Sequence, residues 1–199
     1  MVKAVVFDLG KVLVDFDYAI AARKLAADSA KSADEVYQVI YDSPLLARYE
    51  SARITSAGFF EAARDAIGFR GGFDDFAAAF GDIFAEIPEM IRVQSELQAS
   101  GVPTFVLSNT NEIAVRHIRR NFPFFGGFAG YVLSYEHSAM KPDPGIYRVA
   151  EEMSGCSGDE ILFIDDRPEN VRGADRLGWR TICHRAPAET VAAVRRLVS

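Results

Sequence analysis

The stretch Ala4-Val5-Val6-Phe7-Asp8-Leu9-Gly10-Lys11-Val12-Leu13-Val14 decides the fold. Its first four residues are apolar without alternation, the pattern of a strand buried on both faces, as in a parallel sheet covered by helices. Asp8 closes the run. A carboxylate at the carboxyl end of such a strand lies where open α/β sheets bind their ligands.

Further β-rich runs follow at Thr104 to Leu107, Tyr131 to Leu133, Ile161 to Ile164 and Arg180 to Cys183, separated mostly by segments of helical periodicity. This alternation predicts βαβ units in an α/β protein with a mainly parallel sheet flanked by helices. The rhythm lapses between Asp17 and Ile87, where helix follows helix and no strand is expected. Residues 17–87 therefore read as an inserted all-helical cap, with 1–16 and 88–199 as the core. Within the insertion, Ser32-Ala-Asp-Glu35 is a capping box opening a helix through Val36, Val39 and Ile40. Phe59, Phe60, Ala63 and Ile67 continue the helical spacing, and Phe73, Phe76, Phe80 and Phe84 form another stripe, read as bundle core.

The chain has 199 residues and a formal charge of −6, so its overall field repels nucleic acid and anionic lipid, and any anionic substrate must be held by local groups. Cys156 and Cys183 match neither a zinc set nor a disulfide framework. No run approaches the roughly 20 apolar residues that span a bilayer, and the start is too weakly apolar for a signal peptide. A cytoplasmic protein is expected, acting without nucleic acid or membrane partners.

Three more strand ends carry polar residues. Ser108-Asn109-Thr110-Asn111 lies between a strand and a helix whose N-terminus offers N–H groups to a phosphate, although taken alone the segment reads more readily as a helix cap by Asn109 or Asn111. Lys141-Pro142-Asp143-Pro144 holds a lysine ahead of a helix with Asp143 as N-cap and Pro144 at the first position. Asp165-Asp166 follows the most apolar strand, and like charges side by side raise each other's pKa unless a cation neutralises them. With Asp8 these carboxylates make an oxygen-rich site suited to Mg²⁺. A hydroxyl, a lysine and three carboxylates at one sheet edge point to a metal, a phosphate and a carboxylate nucleophile.

In this order the four motifs resemble those of the haloacid dehalogenase superfamily: Asp8 in Phe-Asp-Leu-Gly, Ser108 in Leu-Ser-Asn, Lys141 in Lys-Pro-Asp-Pro and Asp165-Asp166 in Ile-Asp-Asp. The stretch from Asp165 to Trp179 and the helical insertion are similar to the small-helical-cap subgroup, which includes an α-glucose-1-phosphate phosphatase and the phosphatase domain of soluble epoxide hydrolases. The resemblance implies a Rossmann-like core and a Mg²⁺-dependent phosphatase for a small phosphorylated metabolite, such as a sugar phosphate. Asp8 would form an aspartyl phosphate. Asp8, the Gly10 carbonyl and Asp166 would bind Mg²⁺, with Asp165 assisting directly or through water. Ser108 and the Asn109 backbone would hold phosphoryl oxygens, and Lys141 would bridge nucleophile and phosphate.

The chain departs from the family at Gly10, where most of its phosphatases carry a second Asp as general acid and base. General acid catalysis contributes typically 10² to 10⁴-fold, so its loss implies either a preference for better leaving groups, such as an anomeric phosphate, or a substitute acid from Asp15, Glu50 or His137. Ser138 stands where relatives often have Gly. His117, His137 and His184 form no metal set, and Arg48 and Glu50 are candidate cap contacts. Two other readings remain: a 2-haloacid dehalogenase-type hydrolase using Asp8 on carbon, which Asp165-Asp166 and the Gly10-Lys11-Val12 turn disfavour, and a non-catalytic phosphate-binding protein of the same fold.

Overall fold

In the computed structural model, which describes residues 1–198, β1 (Ala4–Phe7) is buried on both faces, as its unbroken apolar run requires. After β2 (Val14–Phe16) come α1 (Tyr18–Ala26), α2 (Ala33–Ile40), α3 (Pro44–Glu50), α4 (Ser56–Ile67) and α5 (Phe73–Gly81). The chain continues through β3 (Phe84–Glu86), α6 (Pro88–Ala99), β4 (Thr104–Ser108), α7 (Glu112–Asn121), β5 (Gly130–Leu133), α8 (Ser134–His137) and α9 (Pro144–Ser154). It ends with β6 (Ile161–Asp165), α10 (Pro168–Asp175), β7 (Arg180–Cys183) and α11 (Pro187–Val198).

The main sheet has the order β5-β4-β1-β6-β7 and every pairing in it is parallel. Side chains alternate across it, so Val5 and Phe7 pack with Met90, Val93 and Val194 on one face. Ala4 and Val6 pack with Ile146, Tyr147 and Trp179 on the other. The register Phe7↔Val106 and Phe7↔Ile164 brings the residues that follow β1, β4 and β6 to one edge. The strand order reverses at β1, and such a reversal opens a crevice at the carboxyl ends.

Helices α1 to α5 pack around a separate aromatic cluster that includes Phe59, Phe76 and Phe80. Phe59 meets Phe76 edge-on with ring centroids 5.8 Å apart. The Ser32–Glu35 capping box is present, and Gly68 ends α4 at φ 65°, a conformation that glycine adopts without a Cβ penalty. Asp143 caps α9 with Pro144 behind it, after a cis peptide bond at Lys141–Pro142. Ser138 adopts φ 52°, which explains why glycine suits that position.

One expectation is corrected. Phe84 does not continue a helical stripe but lies in β3, which pairs antiparallel with β2 through Phe16↔Phe84. A three-residue strand is too short to show period-two alternation, and the Phe84 ring packs across the ribbon on Phe16 at 6.0 Å. The ribbon brackets the helical insertion at its base. Among the described residues no helix is long and apolar enough to cross a membrane.

Candidate active site

Asp8 follows directly on β1 and is anchored by its own N–H, which donates to the Ile164 carbonyl at 2.8 Å. Its Oδ1 accepts the Leu9 N–H at 2.7 Å and lies 2.9 Å from Lys141 Nζ. The lysine is buried, donates to Asp165 Oδ2 at 2.7 Å and to the Leu107 carbonyl at 2.8 Å, and so ties together the ends of β1, β4 and β6. Asp165, at 0% exposure, also accepts from the Arg167 N–H at 2.8 Å and from the Asn170 amide at 3.0 and 3.1 Å.

Asp8, Asp165 and Asp166 each offer a carboxylate oxygen within 4.8 Å of the others. Burial raises the Asp8 carboxyl above the usual carboxylate range against the pull of Lys141. Burial also raises Asp166, with Asp165 adding to it. Lys141 is held up by Asp8 and Asp165 in spite of its own desolvation, so it stays charged. One buried ammonium faces three carboxylates, leaving a deficit of positive charge.

The sheet edge and the helical insertion enclose a cavity of about 150 Å³ lined by Asp8, Gly10, Lys141, Asp166 and Arg167 from the core and by Tyr18 and Glu50 from the helices. A smaller lobe of about 50 Å³ adjoins Gly10, Glu50 and the Ser108–Asn111 segment. A larger depression of about 530 Å³ between α5 and α7 is lined by Asp74, Arg116 and His117 and lies away from these carboxylates.

Several placements were not legible in the sequence. The Asn109 amide clamps the Lys141 backbone, donating to its carbonyl at 2.9 Å and accepting its N–H at 2.8 Å. Asn111, by contrast, takes the helix-cap role expected of Asn109 or Asn111, capping α7 by accepting the Ala114 N–H. Asn170 holds Asp165, and Tyr147 in turn donates to the Asn170 carbonyl at 2.8 Å. The Asn109–Lys141 and Tyr147–Asn170 pairs lie 32 and 23 residues apart and leave no spacing to read. Of the candidate acids, Asp15 lies outside the cavity and is bound by Lys11 at 2.5 Å, which lowers its pKa. His137 does not line it, Arg48 faces solvent, and His184 is buried against Thr190. Glu50 lines both lobes.

Gly10 faces Phe16: a Cβ there would stand 2.8 Å from the Phe16 ring, which also packs on Tyr18 at 4.9 Å. Gly10→Asp is therefore expected to destabilise the protein by about 1–3 kcal/mol through overpacking, measured as the shift in a denaturant midpoint. An unchanged midpoint would show that the ring moves aside freely.

Strand-end carboxylates gather around a buried lysine at one edge of the α/β sheet. The chain belongs to the haloacid dehalogenase-like hydrolase family, whose profile matches residues 2–178. It is 23% identical over 188 residues to a D-ribitol-5-phosphate phosphatase of Bacteroides thetaiotaomicron, covering 91% of each chain. A solved HAD family enzyme from the same species, in complex with magnesium and inorganic phosphate, superposes with a TM-score of 0.82 at 26% identity, covering 94% of this chain and 96% of the other. Haloacetate dehalogenase H-2 of Moraxella is 29% identical over 93 residues, 47% of this chain, and the match spans only 42% of that relative's length.

Proposed function

We propose that this chain is a Mg²⁺-dependent phosphatase acting on a small phosphorylated metabolite, with Asp8 as nucleophile and residues 17–87 as a cap over the cavity. The carrying observation is the buried Asp8–Lys141–Asp165 bridge with Asp166 beside it. The donor set suits a hard divalent cation, since it is all oxygen and short of positive charge. Asp8, Asp166 and the Gly10 carbonyl would hold the ion. Asp165 already accepts hydrogen bonds at both oxygens, so its part is to hold Lys141, reaching the ion at most through water. When bound, Mg²⁺ offsets the charge shared by the carboxylate and the phosphoryl oxygens.

The chain's own groups complete the reading. Asp8 attacks phosphorus, the phosphoryl group passes to its oxygen, and water then releases it. Lys141, fixed by Asn109, supplies a positive charge beside the attacking oxygen. The Ser108 hydroxyl and the Asn109 N–H hold phosphoryl oxygens near the start of α7. The full-length similarity to a D-ribitol-5-phosphate phosphatase favours a sugar or polyol phosphate.

Phosphate release from a panel of phosphorylated metabolites, with Mg²⁺ or with EDTA, tests this. Activity is expected only with the metal. At a free Mg²⁺ concentration 100 times its Kd, linkage predicts about 2.7 kcal/mol of stabilisation. Thermal melting should then rise by roughly 5–10 °C. An unmoved melting temperature would count against the site. The partial match to a haloacetate dehalogenase supports a second reading, attack of Asp8 on carbon. Halide release from chloroacetate without metal would favour it.

A further inference from the structure

We propose that Glu50, at the end of α3, is the general acid and base of this reaction, a role that rests on the phosphatase reading above. Transfer of a phosphoryl group from an alcohol ester to Asp8 breaks the P–O bond and leaves an alkoxide that needs a proton. The groups around the cavity narrow the choice. Lys141 is engaged with both carboxylates, Lys11 with Asp15, and the Tyr18 hydroxyl is pushed by burial well above its usual range. Asp166 belongs to the proposed metal set. Phe16 fills the space beside Gly10.

Glu50 borders both lobes of the cavity although it comes from the helical insertion. Its backbone is pinned to the core: its carbonyl accepts from Ser134 Oγ at 2.6 Å, and the same hydroxyl accepts the Thr110 N–H at 3.0 Å. The neighbouring Tyr49 hydroxyl accepts the Ile113 N–H at 3.2 Å. The acid is thus held against the β4–α7 junction that carries Ser108 and Asn109. Burial pushes its pKa up to about 8, opposed by hydrogen bonding with Asn111 and by the charge of Arg167, and supported by Asp8. Tyr18, Lys11, Lys141 and Asp166 share the cavity with it, and the Tyr18 phenol stays neutral. At neutral pH Glu50 holds a proton to give.

The cycle balances. Asp8 forms its bond to phosphorus as the ester P–O bond breaks, and the departing oxygen takes the electron pair and the Glu50 proton. The Glu50 carboxylate then accepts a proton from water while the water oxygen bonds to phosphorus. The Asp8–phosphorus bond breaks, releasing inorganic phosphate and restoring both residues.

The test compares wild type and Glu50→Gln, with Mg²⁺, on p-nitrophenyl phosphate and on a primary alkyl phosphate. Nitrophenolate leaves without a proton, so the variant should release one equivalent in a fast burst and then turn over slowly for want of a base. Alkyl phosphate turnover should fall about 10² to 10⁴-fold with no burst. Wild-type kcat on the alkyl ester should fall as pH rises through about 8, because the acid form is required, and this limb should vanish in the variant. Glu50→Asp should recover part of the alkyl activity, and a melting curve confirms that each variant folds. Alkyl turnover within threefold of wild type, or equal losses on both esters with no burst, overturns the role of Glu50 alone. Wild-type turnover that is absent, or that survives Asp8→Asn, overturns the phosphatase reading and this inference with it.

Discussion

Asp8→Asn is expected to lower phosphate release by on the order of 10⁴-fold or more while leaving the fold intact. An amide has no anionic oxygen to attack phosphorus, so the loss falls on bond formation itself. The side chain keeps its size and can still accept the Leu9 N–H that Asp8 accepts at 2.7 Å. Removing one of three clustered carboxylates also relieves repulsion, so the variant should melt no lower than wild type when Mg²⁺ is absent. Turnover and melting measured on one preparation separate the two effects. Substantial turnover in the folded variant would end the covalent proposal.

Lys141→Met should be the most damaging change to stability. Its ammonium meets Asp8 at 2.9 Å, Asp165 at 2.7 Å and the Leu107 carbonyl at 2.8 Å, and it is nearly inaccessible to water. Methionine fills much of the same volume but leaves the carboxylates without their cation. Breaking a buried ion pair by removing one partner costs about 3–5 kcal/mol. For a chain of this size that lowers the melting temperature by roughly 6–20 °C. Saturating Mg²⁺ should return part of the loss by supplying another positive charge, whereas phosphate turnover should remain low. A melting temperature within 2 °C of wild type would show that the lysine does not hold these strand ends together.

The sheet was legible because each central strand is an apolar run with no interruption, and the candidate residues were legible because they follow those runs at once. Asp8 ends the first, Ser108 the second and Asp165 the third, and parallel pairing brings such ends to one edge. Lys141 stood out by the two prolines that follow it, Pro142 and Pro144. The β2–β3 ribbon was hidden by its length. The clamp from Asn109 on Lys141 was hidden for another reason, since it joins residues 32 positions apart through a single side chain, whereas Glu50 was already a candidate acid and cap contact. Nor could composition tell that the Phe16 ring fills the space beside Gly10.

The helices between β2 and β3 keep an apolar interior of their own, to which Ile113 of α7 contributes from the sheet side. Substitutions in well-separated interiors have costs that add without reinforcing one another. A change around Phe76 thus weakens the helices and leaves the Phe163–Trp179 packing beneath the sheet as it was. Over many generations the helical face of the cavity around Tyr18 can drift toward new substrates while the strand-end carboxylates, and Glu50 with them, are inherited unchanged.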